Sequence, residues 1–273
     1  MNEFSLIFIL ALVLMTGVEL WLSLRQSRYV TAHRNEVPDA FKGQIDLVDH
    51  QKAASYTVAK GQLNRVEGIC GMIILLLWTI GGGLAWLMES WQVLEWSEMV
   101  LGILFILSFF VIGTLIELPF SWYRTFVLEE KFGFNKNSPG LFYTDLLKQT
   151  ALMLIIGAPL LWGALSLMDS AGEYWWLYLW AAWFAFTLLV MWAYPAFIAP
   201  LFNKFTPLED IQLKERVESL LSRCGFKSQG IFVMDGSRRS GHGNAYFTGL
   251  GGNKRIVFFD TLLETLNEEQ IEA

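Results

Sequence analysis

Histidine is the first side chain to examine for metal binding or acid–base chemistry, and the chain contains three: His33, His50 and His242. No two of them lie one helical turn apart, the spacing that places two imidazoles on one helix face to bind Zn²⁺ with a glutamate between them as general base. We therefore predict no metal site built from these three residues. For His242, two roles stay open: a hydrogen bond that orders its own loop, which is favoured, and direct contact with a bound substrate.

Serine and glycine offer two other kinds of chemistry, and both have simpler explanations. Ser240 has no credible base and orienting acid in a nucleophile motif, so serine catalysis is not indicated. The glycines at 249, 251 and 252 resemble a phosphate-binding loop only superficially, because they join two predicted strands and do not open a helix. A hairpin turn is the better interpretation.

Glu19 and Glu117 are carboxylates inside otherwise apolar runs. An ionised group at the centre of a bilayer costs about 2.5–3.5 kcal/mol or more on insertion scales, so each needs a reason to be there. Both lie near the ends of their runs, and a carboxylate at the level of the lipid headgroups is the favoured interpretation. The alternative is that Glu19 and Glu117 line a hydrated cavity that opens to the cytoplasm.

A polar loop followed by a β-hairpin is predicted for residues 238–260. Residues 244–248 form the first strand, residues 250–253 supply turn residues that tolerate positive φ, and residues 255–259 form the return strand. Asn267 then caps a helix, with Gln270 completing a capping box. Since an isolated helix needs roughly 12–15 residues, we expect that helix to be cut short and the chain to be a fragment of a longer protein.

The elements that position these residues are mostly membrane spans. The chain is 54% hydrophobic and only 17% charged, which is too apolar for an ordinary soluble domain. A span needs about 20 apolar residues, and five runs are long enough: residues 4–24, 68–88, 99–118, 150–168 and 174–201. The predicted fold is a mainly α, polytopic membrane protein with five transmembrane helices and the start of a small cytoplasmic α+β module.

The basic residues predict the orientation in the membrane. All 20 lie in three segments, between residues 25 and 65, between 124 and 148, and between 204 and 255, which alternate with acidic segments. By the positive-inside rule the N-terminus is outside and the C-terminal region is cytoplasmic, in a bacterial inner membrane or its equivalent. Membrane lipids are therefore partners. No basic stripe with interleaved aromatic residues indicates a nucleic-acid partner.

Two domains follow from this organisation. Residues 1–201 form the five-span region, with cytoplasmic loops at 25–67 and 119–149 that are long enough to carry structure of their own. Residues 202–273 form a module of helix, strand, hairpin and truncated helix. Its helix is predicted to open at the capping box Thr206-Pro207-Leu208-Glu209 and to end near Gly225. Ser138 and Pro139 are predicted to cap the helix that enters the fourth span.

Three segments carry a family resemblance, and they occur in order along the whole chain: YRTFVLEEKFGFNKNSPGLFYTDLLK, YPAFIAPLFNKFTPLEDIQLKERVESLL and RRSGHGNAYFTGLGGNKRIVFFDTLLETLNEEQIEA. They resemble the type I CAAX prenyl proteases, which are integral-membrane zinc metallopeptidases with an HExxH motif. The resemblance implies that residues 244–247 form an edge strand that pairs with an extended substrate, and that Asn244 contacts the substrate backbone. The implied substrate-binding residues are Asn244, Ala245, Tyr246, Phe247 and His242.

The resemblance also identifies features of the family that these 273 residues lack. HExxH, the further glutamate ligand and two more spans of the family do not occur in the 273 residues. We therefore predict no catalytic residue and no metal ligand in this chain, which would be inactive and bind no catalytic zinc. The complete protein is predicted to be a zinc metalloendopeptidase that cleaves peptides or proteins at the cytoplasmic side, including lipid-anchored ones.

The alternative hypothesis is a different class of protein, without catalytic activity. In it the chain is a non-catalytic membrane scaffold or a transporter-like protein. Glu19 and Glu117 then line a pathway, and the hairpin is a docking site for peptides.

Overall fold

The computed structural model describes residues 2–226, 228–250, 254–267 and 270–271. It is mainly helical, and the chain divides into two compact units, Met1–Phe132 and Gly133–Ala273. The predicted boundary between residues 201 and 202 separates membrane spans from a module outside the membrane. It stays a prediction, because contacts between residues do not show where a membrane ends.

The first unit is built from helices. They are α1 (Glu3–Ala32), α2 (Leu47–Thr79), α3 (Gly83–Gln92), α4 (Glu98–Tyr123) and the short α5 (Glu130–Phe132). Helix α1 packs against α2, and Arg65 of α2 donates hydrogen bonds of 3.0 Å to the hydroxyls of Ser23 and Ser27 on α1. The predicted loop 25–67 is thus largely helical, because α1 and α2 both extend into it.

A break separates α2 from α3. The two helices are bent by 52° relative to one another, and Gly82 between them has φ = +78°, a left-handed conformation that glycine adopts without a steric penalty. Four other helical segments in the described part of the chain are long and apolar enough to cross a membrane, and the bent pair makes a fifth. The prediction of five spans is confirmed.

A π-helical turn, Arg124–Glu129, joins α4 to α5. Residues five apart on an α-helix point about 140° away from one another, whereas the wider π-helical turn brings them toward the same side. Both ends of this turn reach α2: Arg124 pairs with Glu67, and Glu129 accepts a 2.6 Å hydrogen bond from the Tyr56 hydroxyl. The turn therefore places two polar contacts on one helix.

The second unit combines long helices with a sheet. Its helices are α6 (Pro139–Ser170), α7 (Trp175–Ala193), α8 (Ile211–Arg223) and α9 (Asp260–Thr265), and its strands are β1 (Phe205–Pro207), β2 (Ile231–Met234), β3 (Ala245–Thr248) and β4 (Arg255–Phe259). The Ser138 hydroxyl accepts a 3.2 Å hydrogen bond from the Leu141 N–H, and Pro139 opens α6. The predicted cap of this helix is confirmed.

The four strands form one sheet in the order β1-β2-β4-β3. Strands β2 and β4 are parallel, and the two outer pairs are antiparallel. One face packs on α8, where Leu213 and Val217 join Ile231 and Phe258 in the core. The hairpin strand β3 lies at the edge of the sheet.

The predicted helix start at Thr206-Pro207-Leu208-Glu209 is wrong. Thr206 lies in strand β1 opposite Val233, and the Leu208 N–H donates to the Ile231 carbonyl at 3.0 Å. Helix α8 begins later, at Ile211, where Asp210 is the cap and accepts from the Leu213 N–H at 3.0 Å. Pairing with β2 holds this backbone extended, so that sheet hydrogen bonds override the local capping pattern.

The hairpin and the capping box agree with the sequence. Strand β3 begins at Ala245, one residue later than predicted, and β4 has the predicted bounds. Gly249 leaves β3 with φ = +98°, and the turn residues 251–253 lie outside the described residues. Asn267 and Gln270 exchange hydrogen bonds of 3.0 and 2.9 Å between side chain and backbone, so the capping box is confirmed. Helix α9 was not predicted.

Candidate functional site

Strand β3 has a free edge. It pairs with β4 on one side, and the described part of the chain places no strand on its other side. Since the Phe259 N–H donates to the Asn244 carbonyl at 2.9 Å, the alternation of an antiparallel ladder directs the N–H and C=O groups of Tyr246 and Thr248 to β4. The backbone groups of Ala245 and Phe247 point to the free edge.

Asn244 occupies the beginning of that edge. Its backbone carbonyl is bound by Phe259, and its side-chain oxygen accepts a 2.9 Å hydrogen bond from the N–H of Ala245. The side chain is exposed. The carboxamide thus caps the first outward-pointing donor of the strand and lies where the backbone of an added strand would lie.

Tyr246 and Phe247 point to opposite faces of the sheet. Tyr246 packs edge-on against Phe259 at 6.2 Å, and its hydroxyl lies 3.8 Å from the Met234 sulfur. Burial, with a smaller effect from Tyr194, raises the pKa of the Tyr246 phenol, which therefore stays protonated at neutral pH. Phe247 is 74% exposed. Tyr246 anchors the strand, whereas Phe247 offers an apolar surface.

His242 lies in the loop before β3, and its main chain is held on both sides. Its carbonyl accepts a 2.9 Å hydrogen bond from the Thr261 hydroxyl, and its N–H donates to the Ser240 hydroxyl at 3.2 Å. The imidazole stacks on Phe134, with ring centroids 4.2 Å apart and planes 22° apart. The ring is exposed on this aromatic support, and its contact with a substrate stays a prediction.

Arg239 anchors the same loop to two distant parts of the unit. Its guanidinium binds both carboxylate oxygens of Asp145, at 2.7 and 3.1 Å, in the bidentate arrangement that is the strongest for this pair. It also donates to the Asn203 side chain at 2.7 Å and to the Phe202 carbonyl at 2.6 Å. The Arg239 and Asp145 side chains are only 22% and 12% exposed. No local sequence pattern indicates this pairing, so the cluster was not predicted.

Backbone contacts complete the anchoring of the loop. The Gly241 N–H donates to the Phe134 carbonyl at 2.8 Å, and the Lys136 N–H donates to the Arg239 carbonyl at 3.2 Å. At Gly243 a Cβ atom would lie 3.0 Å from Cδ1 and 3.2 Å from Cα of Leu262, so a side chain there would press against Leu262. The loop that leads into β3 is therefore fixed on several sides.

A cavity of about 410 Å³ lies between the hairpin and α7. Phe247, Thr248 and Gly249 line it from the hairpin, and the remaining lining residues come from α7 and the turn after it: Phe186, Thr187, Val190, Met191 and Tyr194. Arg255 of β4 donates a 3.0 Å hydrogen bond to the Pro195 carbonyl, which ties the hairpin to the end of α7. An apolar space thus adjoins the exposed end of β3.

The two predicted cavity-lining carboxylates belong to the first unit and have different surroundings. Glu117 lines a cavity of about 280 Å³ between α2 and α4, together with Glu67 and Cys70. Glu19 lies exposed on α1. The cavity that contains Glu117 does not include it.

Comparison with known proteins identifies the class of this fold and site. Residues 207–273, which carry α8 and strands β2 to β4, match the model of peptidase family M48. Residues 26–204 match the model described as CAAX prenyl protease N-terminal, five membrane helices. The chain is therefore an integral membrane protein of a peptidase class. It belongs to the CAAX prenyl protease family, as its three motifs predicted.

Relatives from several organisms support this assignment. CAAX prenyl protease 1 of Saccharomyces cerevisiae is 37% identical over 268 residues, which cover 93% of this chain and 58% of the relative. The Arabidopsis thaliana homologue is 36% identical, with coverages of 96% and 63%. The crystal structure of S. mikatae Ste24p superposes with a TM-score of 0.86 at 36% identity, over 97% of this chain and 62% of that one. The chain thus spans about three fifths of the length of these relatives.

Family M48 comprises metallopeptidases, so the residues of this chain must be tested for a fit to zinc. A protein site for zinc requires three or four ligands from cysteine, histidine and carboxylate side chains. Within the residues that the structure describes, no three histidine, cysteine, aspartate or glutamate side chains come close enough to hold a metal ion. The described residues do not fit a catalytic zinc, and no chemical step of hydrolysis is assigned to them.

Replacing Arg239 by alanine tests whether this residue fixes the loop before β3. We expect faster amide exchange in residues 235–248, because truncation leaves the partly buried Asp145 carboxylate unpaired at a cost of about 1.5–3 kcal/mol. Hydrogen–deuterium exchange of the purified chain measures this. Arg238→Ala is the matched control, since Arg238 is exposed and lies in the same loop. Equal exchange in the two variants would show that Arg239 does not hold the loop.

Proposed function

We propose that this chain provides the membrane spans and the substrate-holding strand of a membrane-embedded zinc metalloendopeptidase. The observation that carries the proposal is the free edge of β3, next to an anchored loop, in a chain of the CAAX prenyl protease family. Binding a peptide as an additional strand gives affinity through main-chain hydrogen bonds, which is compatible with cleavage of different sequences.

The geometry supports a specific division of roles along the edge. The outward-pointing groups of Ala245 and Phe247 pair with the backbone of an extended peptide, and Tyr246 keeps the strand attached to the sheet. The Asn244 carboxamide contacts the peptide backbone at the beginning of the edge, where it exchanges its bond to Ala245 for one to the substrate. His242, supported by Phe134, contacts the substrate beside Asn244.

The apolar cavity next to Phe247 supports a hydrophobic substrate. A peptide paired with β3 points alternate side chains to the same face as Phe247, and that face borders the space of about 410 Å³ against α7. A large aliphatic side chain or a covalently attached lipid fits such a space. We propose that the substrates are peptides and proteins with a hydrophobic or lipid-modified end. The relatives named CAAX prenyl protease agree with this substrate class.

The chain alone supplies no means of hydrolysis in this proposal. Zinc, where bound in this family, supplies a Lewis acid and an activated water. The 273 residues contain no HExxH motif. We propose that residues other than these 273 hold the metal and that this chain, by itself, holds and orients the peptide.

Replacing Asn244 by alanine in the complete protein tests the substrate edge. We expect kcat/KM for peptide cleavage to fall by about two- to twelvefold, since one backbone hydrogen bond contributes about 0.5–1.5 kcal/mol. The thermal unfolding temperature should stay within a degree or two, because the Asn244 side chain is exposed. The control is Arg238→Ala. Unchanged kinetics for Asn244→Ala would remove this residue from the substrate site.

Metal analysis of the purified 273-residue chain tests the proposed absence of catalysis. We expect less than about 0.1 mole of zinc per mole of protein after dialysis, and no peptide cleavage, because the described residues provide no cluster of ligands. Atomic absorption and a fluorogenic peptide assay measure the two quantities. Stoichiometric zinc that a chelator removes together with peptidase activity would contradict the proposal.

The proposed orientation places the N-terminus outside and the sheet module in the cytoplasm, as the alternation of basic segments supports. Cys224 of the module is exposed, so a membrane-impermeant maleimide should label it in a Cys70→Ser background only after the cells are permeabilised. Labelling of intact cells to the same extent would place the module outside. Cys70→Ser with Cys224→Ser is the control for labelling without a thiol.

A further inference from the structure

The end of α1 and the beginning of α2 form a helical hairpin, and α1 is longer than a hydrocarbon core is thick. Helix α1 has 30 residues, which corresponds to a length of about 45 Å, whereas the hydrocarbon core is about 30 Å thick. A cavity of about 520 Å³ lies between the two helices and the segment that connects them. None of the residues assigned above to substrate binding lines this cavity.

The cavity combines aromatic rings with carboxylates. Tyr29 and His33 form one wall, with ring centroids 4.1 Å apart, and the Nε2 atom of His50 lies 3.1 Å from the His33 carbonyl oxygen. Glu36 and Asp39 of the connecting segment also line the space. The lining contains no lysine or arginine, although seven of these residues occur between Arg25 and Arg65.

This composition selects a cation. Aromatic faces attract ammonium and guanidinium groups, and carboxylates bind these groups through charge-assisted hydrogen bonds. Asp39 forms an exposed pair with Lys42, so an added cation shares this carboxylate, while Glu36 has no partner of its own in the described part of the chain. Anionic ligands are disfavoured by both carboxylates. The described residues of the cavity include no cluster fit for a metal ion.

Apolar side chains close in sequence to the cavity lining favour a peptide over a free amine. Phe41, Ile45 and Val48 follow Asp39 closely in the sequence and are 48%, 43% and 67% exposed. With Leu47, which is 41% exposed, four large apolar side chains are exposed within eight residues, and a cluster of this kind is typical of a protein contact surface. They offer contacts to the residues on either side of a basic side chain.

We propose that the cavity between α1 and α2 binds an arginine or lysine side chain of a peptide. The Tyr29 and His33 rings contact the aliphatic stem and the face of the cationic group, and Glu36 and Asp39 accept its hydrogen bonds. The inference does not depend on the proposed peptidase function, because it concerns only the first unit.

Fluorescence anisotropy with the purified chain in lipid nanodiscs tests the proposal. The probe is a fluorescein-labelled peptide of one arginine flanked by leucine and phenylalanine, and the comparison peptide carries the uncharged isostere citrulline. We expect the citrulline peptide to bind about five- to tenfold more weakly, the range expected for a partly exposed charge-assisted contact. Equal affinity of the two peptides would overturn the proposal.

Substitutions in the chain locate the binding. Glu36→Gln should weaken binding of the arginine peptide about fivefold. The control Asp49→Asn makes the same change of charge on the exposed surface of α2 outside the cavity, and it should change the affinity less than twofold. Equal effects would mean that binding follows the overall charge and would overturn the site. Tyr29→Leu should weaken binding and Tyr29→Phe should retain it, which separates loss of the ring from loss of folding.

Agmatine is a guanidinium compound without a peptide backbone. It distinguishes a site for a basic peptide side chain from a site for a free amine. We expect it to compete only at concentrations at least about tenfold above those of the unlabelled peptide, because it lacks the apolar contacts. Competition at equal concentrations would overturn the assignment to a peptide and identify a site for free amines.

Discussion

The guanidinium of Arg239 is the interaction on which the arrangement of the second unit depends. One planar group binds Asp145 of α6, Asn203 and the Phe202 carbonyl after α7, and is itself part of the loop that leads into β3. Arginine suits this position, because its donors diverge in one plane and its charge is permanent. One side chain thereby connects α6 and the segment after α7 to the loop that leads into β3.

In the first unit, contacts between separate helices depend on backbone geometry and not on one side chain with several partners. The π-helical turn at Arg124–Glu129 widens the helix so that Arg124 and Glu129 both reach α2. A second π-helical turn, Tyr194–Ile198, follows α7, and its Pro195 carbonyl accepts from Arg255. In each unit a departure from α-helical winding lies where a long helix forms a polar contact with a separate element.

Local signals made part of this structure predictable from the sequence. The cap at Ser138, the box at Asn267 and the hairpin strands depend on neighbours within a few residues, and each was found. The start of α8 was predicted wrongly, because the pairing of Thr206 with Val233 joins segments that lie 27 residues apart. Asp145 and Arg239 are separated by 94 residues, so no pattern of spacing in one sequence indicates their pairing, and the π-helical turns likewise reflect tertiary contacts.

The Asn244 carboxamide has a consequence for the protein in the absence of a peptide. An open strand edge invites pairing with any extended chain, including another copy of the same protein. By accepting from the Ala245 N–H, Asn244 leaves Phe247 as the remaining outward donor of β3 in the resting state, which is too short a template for stable association. A ligand that supplies its own acceptor displaces the carboxamide at little net change in hydrogen bonding. In the absence of a peptide, the edge of β3 is thus protected from pairing by the side chain that precedes the strand.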